Sequence, residues 1–146
     1  KIINLKIKKL QEEIIDEFAM FDDWMQRYEY MIDLGKSLPL IDSKYKTDDY
    51  LVNGCQSKVW VRAELVDKQI VFKADSDAII SKGIIAILIR VFSHHDPNEI
   101  IEAKTDFIDK IGLKDHLSPN RANGLSSMIK QLKIYALAYQ TKINNE

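Results

Sequence analysis

The chain has 146 residues, 46% hydrophobic and 29% charged, with a formal net charge of -1. That length suits a single domain over residues 1–146, burying roughly 70% of the surface its unfolded chain would expose, so a core needs neither disulfides nor a structural metal. Balanced charge argues against nucleic acid as a partner, and no stretch approaches the about 18 apolar residues of a membrane span.

Lys1-Ile2-Ile3-Asn4-Leu5-Lys6 is too short and too broken by lysine for a signal peptide. With no initiator Met, a few preceding residues are expected. Ile14, Phe18, Phe21, Met25, Tyr28 and Ile32 then recur at gaps of four and three, which predicts one face of an α-helix. Gly35 falls just past this stripe, where a C-terminal cap belongs, and Leu38-Pro39 forces extended chain. Residues 43–49 are polar and read as loop, and Tyr50-Leu51-Val52 reads as a short strand.

Asn53-Gly54 is a turn dipeptide. Val59 to Val66 reads as a strand, Asp67-Lys68-Gln69 as a hairpin loop and Ile70-Val71-Phe72 as the return strand. Asp75-Ser76-Asp77 offers helix N-caps. The apolar run Ile79–Phe92 follows, its length favouring helix, with Gly83 leaving room for a neighbouring backbone. Asp96-Pro97-Asn98-Glu99 starts another helix. Phe107, Ile108 and Ile111 form a helical turn ended by Gly112. Ser118-Pro119 opens a last helix with the stripe Leu125, Ile129, Leu132, Ala136, Tyr139, Ile143. The predicted fold class is α+β: a small antiparallel sheet of about three strands flanked by helices.

The sole cysteine, Cys55, carries the functional question. It excludes an internal disulfide and points to a reducing compartment, cytoplasmic by default. A lone cysteine is most often a small core residue. This one lies instead on a turn between strand-like segments, beside Gly54 and Gln56, where a reactive group is better placed. Metal binding fares poorly: zinc and iron–sulfur sites need about three or four Cys and His ligands, and the chain offers one cysteine with His94, His95 and His116. His94-His95 at the end of an apolar helix suits a structural role. A thiol hydrolase or transferase pairing Cys55 with a histidine is the alternative from another class.

Gly54-Cys55-Gln56-Ser57-Lys58-Val59-Trp60 resembles the signature loop of the SufE family. Three further blocks resemble it in family order: Phe21 to Tyr30 with Leu34 to Pro39, Asp75 to Ala78 with Lys82-Gly83, and Leu117 to Leu125. The resemblance implies a fold shared with NifU-like scaffolds and a cysteine that accepts sulfane sulfur from a PLP-dependent, SufS-like cysteine desulfurase. It implies delivery to a SufBCD-like iron–sulfur scaffold. The chain would then be an accessory protein more than an enzyme, with PLP on the partner and no cofactor of its own. A monomer that docks transiently is expected, with weak dimerisation as the alternative.

Sulfur transfer requires the acceptor thiol to ionise. Backbone N–H groups around Gly54-Cys55-Gln56 are candidates to stabilise the anion; Arg121, in a matching block, is the candidate cation. Gln56 and Ser57 are expected to hydrogen-bond the loop backbone. Asp75 and Asp77 are expected to cap the following helix or, alternatively, to hold the cysteine loop at rest. Cys55 is expected to tuck against apolar groups, protonated by burial, and to swing out about Gly54 on docking.

Overall fold

A computed structural model of the chain describes residues 5–145; residues 1–4, the larger part of the stretch from Lys1 to Lys6 read above as no signal peptide, lie outside the described residues. The helices are α1 (Leu5–Ala19), α2 (Trp24–Lys36), α3 (Ile79–Phe92), α4 (Pro97–Glu102), α5 (Phe107–Lys110) and α6 (Pro119–Asn144). The strands are β1 (Val59–Val66) and β2 (Gln69–Ser76), paired antiparallel from Val59↔Ser76 to Val66↔Gln69. Among the described residues, no helix is long and apolar enough to cross a membrane.

The hairpin turns on Asp67 and Lys68 alone, both at positive φ (51° and 67°), the geometry of a two-residue loop that follows the strand twist. Alternation puts Val59, Val61 and Ala63 of β1 and Ile70, Phe72 and Ala74 of β2 into the core. The fold is α+β as expected, with two regular strands; the segment expected to be a third makes only the single bridge Leu51↔Trp60. On the other edge Leu40 bridges to Ala74. The free edge of β1 is capped by α6, where the Tyr135 and Tyr139 hydroxyls donate to the Val61 and Ala63 carbonyls at 2.8 and 2.9 Å. Both edges are thereby covered, which protects a two-stranded sheet from pairing with another chain.

α3 is the central element, buried along most of its length. Gly83 lets α2 approach it: a Cβ there would lie 2.5 Å from the Met31 carbonyl oxygen. Gly35 is the partner of this approach, because its own Cβ would meet the Gly83 backbone nitrogen at 3.1 Å. The cap expected at Gly35 is therefore corrected: Gly35 is inside α2, and Ser37 terminates the helix.

The single N-terminal helix is also corrected. The chain breaks between Ala19 and Trp24, because the Asp23 side chain accepts from the Gln26 N–H at 2.8 Å and starts a new helix. Ile14 and Phe18 are core residues of α1, whereas Met25 is 70% exposed. Later caps follow the sequence: Asp96 accepts from the Glu99 N–H at 2.9 Å, and Ser118 from the Arg121 N–H at 3.3 Å, each with Pro opening the helix. The Lys133 ammonium of α6 donates to the carbonyls of Ile100, Ile101 and Ala103 at 2.7–3.0 Å, tying down the C-terminal end of α4.

Candidate functional site

The cysteine loop is a short excursion closed at its neck by the sheet. The Val52 N–H donates to the Val59 carbonyl at 2.8 Å, leaving residues 53–58 outside. Gly54 bends the loop at φ 95°, a conformation other residues adopt only with strain. Its three central residues lie along one face of α6. Gly54 packs on Ser127, Cys55 on Gly124, and Gln56 accepts from Asn120 Nδ2 at 3.2 Å. The α6 partners are spaced three and four apart, the repeat of a single helical face.

The descending limb is held by the turn after β2. The Lys58 carbonyl accepts from the Ser76 hydroxyl at 2.8 Å and the Asp77 N–H at 3.2 Å, while the Lys58 N–H donates to the Asp77 carboxylate at 3.0 Å. The helix caps expected of Asp75 and Asp77 are therefore corrected: Ala78 precedes α3, with no side-chain cap. Asp77 instead grips the cysteine loop. Asp75 belongs to β2, buried, with the ammonium groups of Lys46 and Lys82 and the Ser76 N–H as its partners. Burial alone would raise its carboxyl; Lys46, Ser76 and Lys82 together outweigh this and hold it below the usual carboxylate range.

Cys55 is half-buried. Its Sγ lies 3.6 Å from the Gly124 carbonyl oxygen, to which the thiol donates. Burial pushes the Cys55 thiol above its ordinary pKa, and a carbonyl facing the sulfur favours S–H over the anion. At rest the sulfur thus meets a carbonyl acceptor. A cavity of about 30 Å³ lies beside it, lined by Gln56, Ser57, Ser81, Ile84, Asn120, Arg121, Gly124 and Met128. Arg121 is exposed and also borders an open depression of about 340 Å³ formed with Tyr28, Ile80, His116, Leu117 and Ser118. Gln56 spends its side chain on Asn120, not on the loop backbone expected.

None of the three histidines borders the cavity. His116 stacks on Trp24 with ring centres 3.9 Å apart. His95 is 1% exposed, and its Nε2–H donates to the Val91 carbonyl at 2.8 Å. That fixes Nδ1 as a bare acceptor, without a partner among the described residues and 3.7 Å from Glu99 Oε2. Among the described residues no group of three or more His, Cys, Asp and Glu is gathered to hold a metal ion.

Residues 12–136 match the SufE family, described as an Fe-S metabolism associated domain. The chain belongs to the SufE family. It is 42% identical over 127 residues to a SufE-like protein of Rhizobium meliloti, covering 84% of this chain and 91% of that one. It is 38% identical over 135 residues to SufE-like protein 1, chloroplastic/mitochondrial, of Arabidopsis thaliana, covering 92% of this chain and 36% of the plant protein. The fold matches the solution structure of a hypothetical protein from Thermus thermophilus with a TM-score of 0.75 at 16% identity, over 90% of this chain and 96% of that one. This SufE protein is accordingly associated with iron–sulfur metabolism.

Of the predicted site residues Gly54, Cys55, Gln56, Ser57, Asp75, Asp77 and Arg121, the fold brings all but Asp75 around one loop; Asp75 lies in β2 with Lys46 and Lys82. The motif pattern does not mark Ser81, Asn120, Gly124 and Ser127 as site residues. Asn120 and Gly124, four apart beside Arg121, carried a usable signal: a small residue on one face of a helix whose N-terminus follows a capping serine.

Proposed function

We propose that this SufE protein is a persulfide carrier. Cys55 takes sulfane sulfur from a PLP-dependent, SufS-like cysteine desulfurase, stimulates that enzyme by unloading it, and passes the sulfur to a SufBCD-like iron–sulfur scaffold. It works in the reducing cytoplasm as a monomer, an accessory protein with no cofactor of its own.

The observation that carries this reading is the half-sheltered setting of the only cysteine. Its loop bends at a positive-φ glycine, rests on α6 through few contacts, and keeps a small space beside the sulfur. In the transfer, the Cys55 thiolate attacks the outer sulfur of the donor persulfide. A new S–S bond forms to Cys55, the donor's S–S bond breaks, and the donor cysteine leaves as thiolate. The proton or charge of the outer sulfur travels with it, so no oxidant or reductant is consumed. Resting beside the Gly124 carbonyl, Cys55 stays protonated and inert. Swinging out about Gly54 removes that carbonyl and the burial together, and brings the sulfur toward the exposed Arg121 guanidinium. The hydrolase reading gains nothing here, since no histidine borders Cys55.

The test is alanine release by a cysteine desulfurase with cysteine as substrate. Turnover rises on adding the wild-type chain and stays at its basal rate with Cys55→Ser. Equal stimulation by both chains would refute the role given to Cys55.

A further inference from the structure

We propose that the Ser81 hydroxyl is the hydrogen-bond donor that holds the outer sulfur of a Cys55 persulfide in the cavity under the cysteine loop. This deepens the carrier reading and rests on it. Ser81 stands in the first turn of α3, 5% exposed, and lines the same small cavity as Cys55. Apolar Ile84 and Met128 share that lining. The Ser81 hydroxyl is not a sealed, unpaired atom in the way His95 Nδ1 is; it borders the cavity, and a hydroxyl rotates to donate into such a space. The cavity's volume of about 30 Å³ exceeds the roughly 10–15 Å³ that admits one water, so it has room for one additional sulfur atom.

The chemistry selects a donor at this place. The outer sulfur of a persulfide ionises more readily than a thiol and is an anion near neutrality. The Gly124 carbonyl, which accepts from the resting thiol, cannot donate to that anion. Arg121 stands exposed at the mouth. Ser81 is a neutral donor in the buried wall, able to stabilise the charged sulfur without presenting it to solvent.

The experiment loads the full chain with sulfur from inorganic polysulfide, so that loading does not depend on a desulfurase. Polysulfide transfers one sulfur to the Cys55 thiolate and leaves one atom shorter. After desalting, intact mass follows the loss of the added sulfur to dithiothreitol, and absorbance follows ionisation of the outer sulfur. Ser81→Ala is expected to shorten the persulfide half-life several-fold and to raise the pH at which the anion appears; Ser81→Thr restores both. Thermal midpoint and alkylation of the unloaded thiol stay as in wild type. Persulfide lifetime and ionisation unchanged in Ser81→Ala would overturn the proposal. Failure of the desulfurase to load a wild-type chain that polysulfide loads normally would instead overturn the carrier reading.

Discussion

Asp77 holds Lys58 from both sides: its carboxylate accepts the Lys58 N–H at 3.0 Å and its own N–H donates to the Lys58 carbonyl at 3.2 Å. Asp77 is exposed, so the side-chain bond contributes on the order of 1 kcal/mol or less to global stability. Its weight falls on the loop, where it is one of few restraints opposing an outward swing. Asp77→Ala is predicted to raise the rate of Cys55 alkylation by iodoacetamide several-fold, with little change in thermal midpoint. An unchanged alkylation rate would show that the loop is held elsewhere.

Gly54 constrains the same loop sterically. At φ 95° an L-residue is strained by about 1–2 kcal/mol, and a Cβ would collide with the Ser127 hydroxyl. Gly54→Ala is therefore expected to lower stability in urea and to expose Cys55 to alkylation. Adding Ser127→Gly should recover the steric part of the loss and leave the backbone part.

Glu99 gives the stability a pH dependence. Burial first, and then the Asp96 carboxyl beside it, push Glu99 up to about 7, so the folded state holds a proton that the unfolded chain releases near 4.3, the ordinary Glu value of about that size. The folded state binds more protons in this window, so stability is full below it and is lost as pH rises toward 7. Neighbouring His95, held neutral chiefly by burial, acts in the opposite sense and costs stability as pH falls below its ordinary range. Lys6 and His94 are the other titratable groups at this corner. Comparing Glu99→Gln with wild type isolates the carboxyl: the variant is expected to gain on the order of 1 kcal/mol after solvent screening at about pH 8 and almost nothing at about pH 4. Urea denaturation at the two pH values measures this, and an equal difference at both would contradict it.

Lys133 joins α6 to the end of α4 through three carbonyls. Lys133→Met keeps the aliphatic stem and removes the ammonium, leaving those acceptors without it. A loss of about 2 kcal/mol is expected, the scale of a hydrogen bond to a charged group, read as a lower urea midpoint with an unchanged m-value.

Much of the fold was legible because its signals are local. The hairpin turn, read as Asp67-Lys68-Gln69 although Gln69 already pairs with Val66, the Asp96-Pro97 and Ser118-Pro119 helix starts and the length of the α3 run each depend on a few adjacent residues. The break after Ala19 was missed because the apolar spacing carries on in phase across two helices; Asp23 with Gln26 three residues later was the overlooked cap. Gly35 mimicked a terminator because its real role depends on Gly83, on another helix. At the site, the loop motif pointed to Cys55 and its chain neighbours. Ser81, Gly124 and Ser127 reach it only through the packing of α3 and α6, which no local pattern states.

The most direct measurement is the intact mass of the chain after incubation with a cysteine desulfurase and cysteine, without reductant. The account predicts a gain of one sulfur atom, mapped to the peptide bearing Cys55 and absent from Cys55→Ser. A wild-type chain that gains no sulfur while the desulfurase turns over, or that gains it equally without Cys55, would contradict it.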